Sequence, residues 1–150
     1  MVNEYNERFS TPDKAEKLNA QAYTANLLDP AGPPESFTDP KFFDFDLVAV
    51  GFGFHHFENL PLVLERLTSR LKPGGVLMIL DFFSHEQHDM GDNPALMTIA
   101  HHGFTESQIK ALFTSAGLED NVVLDFGEDV VMMKKQVTRR PFMARGKKPA

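Results

Sequence analysis

Cysteine is missing from all 150 residues, and with it go disulfides, thiolate catalysis and cysteine-ligated zinc. That absence is compatible with a reducing compartment. Tryptophan is missing too, and tyrosine occurs only twice. Phenylalanine, at 14 copies, therefore supplies nearly all the aromatic surface available to a core or to the walls of a pocket. No apolar run approaches the ~20 residues that a membrane span needs. The opening stretch MVNEYNERFS is polar and acidic, unlike a signal peptide. The expectation is a cytoplasmic protein with no membrane partner. A basic surface is also scarce: the formal charge is −6, whereas a protein that tracks phosphates carries a basic face. Nucleic acid is not expected as a partner. The one basic concentration, KKQVTRRPFMARGKKP, reads as a solvated strand edge.

What is present has an ordinary globular balance, 42% hydrophobic and 24% charged. The length suits a single domain over residues 1–150 with one core. Near the amino end, VNEYNERF has weak helical spacing, and Pro12 behind Ser10 and Thr11 fits a helix start. A strand is expected from about Ala20 to Asn26. The segment LDPAGPPESFTDPKFFDFD carries four of the ten prolines and reads as a loop.

The middle of the chain is more regular. FDLVAVG is a short apolar run ended by glycine, the pattern of a strand buried on both faces of a parallel sheet. Leu60, Val63, Leu64, Leu67 and Leu71 then form one stripe of a helix. Lys72-Pro73-Gly74-Gly75 turns the chain, and VLMILDFF reads as a second buried strand. Strand, amphipathic helix and strand make a right-handed βαβ unit. The connection SHEQHDMGDNPALMTIAHHG has no period, as lids and binding loops often do not. Thr105-x-x-Gln108 is a capping box ahead of a second helix through Ile109, Leu112, Phe113 and Ala116, closed by Gly117. NVVLDFG, VVMMKKQ and RPFMARGKK read as strands. The class is α/β, with an open mixed sheet that ends in a carboxyl-terminal antiparallel hairpin.

In this order the stretches FDLVAVGFGFHHF, LERLTSRLKPGGVLMILDFF, HHGFTESQIKALFTSAGLED and PFMARGKKP resemble the later part of a class I S-adenosylmethionine-dependent methyltransferase. The Leu71-Lys72-Pro73-Gly74-Gly75 turn is the most specific piece. The resemblance implies a truncated Rossmann-like methyltransferase fold, with S-adenosylmethionine as cofactor and methyl transfer to a small molecule as activity. In that family the cofactor lies across the carboxyl ends of the first four of seven strands. By resemblance FDLVAVG is the fourth strand, and Gly51, Phe52 and Gly53 line the cofactor. AYTANLLD resembles the third strand, which places Asn26 and Leu27 beside adenine. The family's glycine-rich loop and its ribose-binding acidic residue both belong ahead of Met1, so the chain is expected to be truncated at its amino end. The family's central first strand is then lacking, and the edge of FDLVAVG needs cover. A second copy of the chain, giving a homo-oligomer through that edge, is one such cover.

All six histidines come in pairs: His55/His56, His85/His88 and His101/His102. Histidine suits proton transfer near neutral pH, and a hydroxyl acceptor must lose its proton on methylation. His55, His56, His101 and His102 are the candidate bases, although one of each pair could equally cap or fill the fold. His85, Glu86, His88 and Asp89 could gather a metal ion, but nothing completes a ligand shell and no metal is expected. Two other readings stay open. One is a cofactor-independent isomerase, cyclase or dehydratase that uses the histidines as acid-base groups. The other is a non-catalytic binding partner or remnant.

Overall fold

The computed structural model describes residues 23–29, 31–33, 35–84, 99–132 and 137–150. The chain divides into two compact units, Met1–Thr38 and Asp39–Ala150. In the first, residues 23–26 form no strand; the rest of the strand expected from Ala20 lies outside the described residues. Short polar side chains capture the backbone instead. The Leu28 N–H donates to Asn26 Oδ1 at 3.0 Å and the Ala31 N–H to Asp29 Oδ1 at 2.9 Å. Such local bonds compete with a sheet ladder. A 3-10 turn at Glu35–Phe37 follows, and Phe37 meets Tyr23 edge-on at 6.1 Å.

The second unit holds a four-stranded sheet and two helices. The strands are β1 (Phe45–Gly51), β2 (Leu71–Phe82), β3 (Glu119–Asp125) and β6 (Pro141–Lys147), in the order β1-β2-β6-β3. Between β3 and β6, β4 (Val130–Met132) and β5 (Val137–Arg139) form a separate two-stranded sheet. β1 and β2 run parallel, with Val48 opposite Leu77 and Val50 opposite Ile79. β6 is antiparallel to both β2 and β3. The mixed open sheet and its antiparallel close agree with the sequence pattern.

The crossover helix α1 spans Leu60–Ser69. Asn59 caps it by accepting the Leu62 N–H at 3.1 Å, and Pro61 sits in its first turn, where no intrahelical donor is needed. Leu71 does not belong to its stripe as expected. The helix stops at Ser69, Arg70 caps it, and Leu71 opens β2 opposite Phe45. Burial of Arg70 explains the early stop: its guanidinium donates to the Phe42 carbonyl at 3.2 Å and lies 4.5 Å over the Phe43 ring. Burial, with repulsion from Arg66, pulls its pKa below the usual arginine value. The turn at Lys72–Gly75 is absorbed into β2 as an irregularity of register between Phe45 and Leu47.

Helix α2 (Glu106–Ser115) starts in the expected capping box, with reciprocal bonds of 2.8 and 3.2 Å between Thr105 and Gln108. Gly117 follows it with φ 75°, the left-handed position that favours glycine. The core lies between these helices and one sheet face. Val63 and Leu64 from α1, Ile109 and Phe113 from α2, and Leu77, Ile79, Phe142 and Ala144 from the sheet are all buried. A Cβ on Gly146 would stand 2.7 Å from the Phe113 ring, so glycine there lets α2 lie close to β6. β1 is not the doubly buried strand that its composition suggests. It pairs only with β2 among the described strands, and Leu47 is 52% exposed.

Candidate active site

The parallel pair β1 and β2 brings two carboxyl ends together, where ligands settle in open α/β sheets. β1 ends in Gly51, and Phe52 follows with φ 51°. That left-handed turn is uncommon for a bulky residue. It is fixed by the Phe52 N–H, which donates to the Leu80 carbonyl at 2.8 Å, and by stacking of its ring on Phe82 at 5.0 Å. Gly51 and Gly53 behave differently from the other described glycines. Neither has a positive φ. Among the described residues, a Cβ on Gly51 would find nothing within 4 Å, and one on Gly53 only the Gly51 carbonyl at 3.9 Å. Neither backbone shape nor packing among the described residues requires glycine at these two places.

A 3-10 turn, Phe54–His56, comes next, anchored by the fully buried Phe54. It presents His55 to Asp81, near the end of β2. The His55 N–H donates to Asp81 Oδ2 at 3.0 Å, and His55 Nδ1 stands 2.7 Å from Asp81 Oδ1. The Phe82 N–H donates to the same Oδ1 at 2.8 Å. Asp81 is fully buried, while the His55 side chain is 13% exposed. The His56 ring lies against that of His55, with centroids 4.2 Å apart. The segment before α2 is sewn to the same place. The Ala100 and His101 N–H groups both donate to the His55 carbonyl at 3.0 Å, and the Phe104 N–H donates to the Phe82 carbonyl at 3.1 Å.

The structure thus gathers Gly51, Phe52, Gly53, His55, His56 and His101 at one end of the sheet. His101 packs its ring on Phe104 at 5.5 Å, and its Nε2 is buried with no hydrogen-bond partner among the described residues. His102 turns outward and is exposed. Asn26 and Leu27 lie in the first unit, within the turn already described. His85, Glu86, His88 and Asp89 lie outside the described residues, and among the described residues no cluster of three or more acidic or histidine side chains could hold a metal ion. Asp81 is the residue that sequence reading missed. Its signal was a single carboxylate inside the apolar run VLMILDFF, because a buried charge survives only where donors await it.

A family model described as a methyltransferase domain matches residues 4–123. The chain belongs to this methyltransferase family. An uncharacterized methyltransferase of Schizosaccharomyces pombe is 33% identical to it over 129 residues. That alignment covers 83% of the chain but 44% of the relative, so the methyltransferase chain here spans less than half of the yeast protein's length. Among solved structures, human N-acetylserotonin methyltransferase, in complex with S-adenosylmethionine, superposes with TM-score 0.63 at 16% identity. It covers 99% of this chain and 38% of its own. A Methanosarcina mazei S-adenosylmethionine-dependent methyltransferase gives TM-score 0.54 at 14% identity, over 71% of this chain and 60% of its own. Haemonchus contortus phosphoethanolamine N-methyltransferase 2 gives 0.52 at 15% identity, over 72% of this chain and 35% of its own. At these identities the likeness establishes a Rossmann-like methyltransferase fold.

Proposed function

We propose that this chain carries out S-adenosylmethionine-dependent methyl transfer to a small, apolar molecule bearing a hydroxyl or amine. The carrying observation is the open glycine pair Gly51 and Gly53 beside a histidine that is held in place. The cofactor supplies an electrophilic methyl on a sulfonium sulfur. The residues present fit it: backbone at Gly51 and Gly53 is approachable because neither carries a Cβ and nothing among the described residues fills the space. Phe52, 47% exposed, adds an apolar ring to the same rim. By family resemblance, Asn26 and Leu27 would flank adenine. The protein's contribution is alignment of acceptor and donor, with His55, His56, His101 or His102 as proton acceptor. A second copy pairing along β1 is the proposed partner, and the cytoplasm the proposed location.

The test is calorimetric titration of the purified chain with S-adenosylmethionine, followed by a radiolabel screen of phenols, enols and small aromatic amines as acceptors. Saturable cofactor binding with label on an acceptor is the expected result. No heat and no transfer from folded protein would overturn the reading.

A further inference from the structure

We infer that Asp81 is a positioning residue that makes Nε2 of His55 the proton-accepting atom, and that the site is thereby built for a hydroxyl acceptor, phenol or enol. The inference rests on the methyl-transfer reading but has its own test.

The argument begins with the donors around Asp81. Two backbone N–H groups, from His55 and Phe82, point at its two oxygens. A carboxyl group so placed acts as an acceptor at both oxygens. Nδ1 of His55, 2.7 Å from Oδ1, must then carry the proton. In a neutral imidazole that leaves the lone pair on Nε2, on the side of the ring turned away from Asp81. His55 is fixed twice more through its backbone, by its N–H on Asp81 and by its carbonyl under the Ala100 and His101 N–H groups. The His56 ring lies against that of His55. Held against a buried carboxylate, His55 has the surroundings of a base.

The chemistry follows from that placement. As the acceptor oxygen bonds to the methyl carbon, the carbon–sulfur bond of the sulfonium donor breaks and its electron pair stays on sulfur. The hydroxyl proton passes to Nε2 of His55. The imidazolium formed sits against the buried Asp81 carboxylate, which compensates its charge. A neutral amine attacks through a lone pair it already has, so a base held this firmly is of most use to an O–H group.

Nitrogen-15 correlation spectra of the histidine side chains in the wild-type protein, with His55→Gln to assign the signal, read the tautomer without any turnover. The proton of the neutral His55 ring is expected on Nδ1; a ring protonated on Nε2 would overturn the inference. With the acceptor found in the screen, His55→Gln is expected to lower kcat roughly 10²–10⁴-fold, with S-adenosylmethionine affinity within about twofold of wild type. An unchanged kcat also overturns it. Asp81→Asn offers one oxygen to three donors, so in folded variant protein the single tautomer should be lost and kcat should fall with it. Should that variant not fold, the wild-type spectrum and His55→Gln decide. Should wild type methylate nothing, the proposed function fails, and the spectrum still decides the role of Asp81.

Discussion

Gly51 and Gly103 are the same residue under opposite constraints. Gly103 has φ 83°, and a Cβ there would run into the backbone of Phe83. Gly51 has neither problem, and it lies in a strand, where a β-branched side chain is favourable. Gly51→Val should therefore unfold within about 0.5 kcal/mol of wild type, the range of harmless surface changes. Its affinity for S-adenosylmethionine should drop at least about tenfold, worth roughly 1.4 kcal/mol. Urea titration and calorimetry measure the two. Two strands from Asp81, Asp125 makes a different carboxylate contact: Arg140 Nε lies 2.9 Å from both its oxygens, and the Gly127 N–H donates at 2.8 Å. The Arg140 bond, then the Gly127 bond, hold the Asp125 pKa below the ordinary carboxylate range, and Asp125 raises that of Arg140. A depressed carboxylate stabilises the fold above its unfolded value, about 3.8, and that share is lost as pH falls through the folded value. Asp125→Asn should lower the urea midpoint at neutral pH, with the gap closing in strong acid and shrinking in high salt. The histidines were visible in the sequence as candidates. Which of them meets a carboxylate was not, because Asp81 and His55 are joined only by the pairing of β1 with β2.

At the scale of elements, period and capping chemistry were strong guides. Thr105 and Gln108 announced the start of α2, and the reciprocal bonds are there. Thr105→Ala should cost roughly 1 kcal/mol, readable as a lower melting temperature with unchanged cofactor affinity, since the cap faces solvent. The leucine stripe gave α1 its face but overran its end. Leu71 is apolar and correctly spaced, yet Arg70 is drawn to Phe42 and Phe43, and a contact 28 residues away in sequence leaves no periodic trace. Tyr23–Asn26 misled in the other direction. Alanines and a tyrosine suited a strand, and the turn-forming Asn26 and Asp29 prevailed. Segments whose partners are local were legible, whereas those settled by distant contacts were not.

At the scale of the molecule, FDLVAVG shows what composition cannot convey. The run is apolar enough for the middle of a sheet, and among the described strands it stands at the side of this one. Burial depends on how many neighbours a strand has, which no strand encodes by itself. Leu47 and Phe45, 52% and 39% exposed, make that side adhesive. Leu47→Lys should shift sedimentation toward a single copy if association runs through β1, while the far-UV spectrum stays unchanged. A two-fold axis through Val48 would set two β1 strands antiparallel, each Gly51 facing Phe45 of the other copy. Every catalytic mouth would then borrow part of its wall from next door. Turnover per molecule would decline on dilution, and mixing two differently disabled variants would restore some of it.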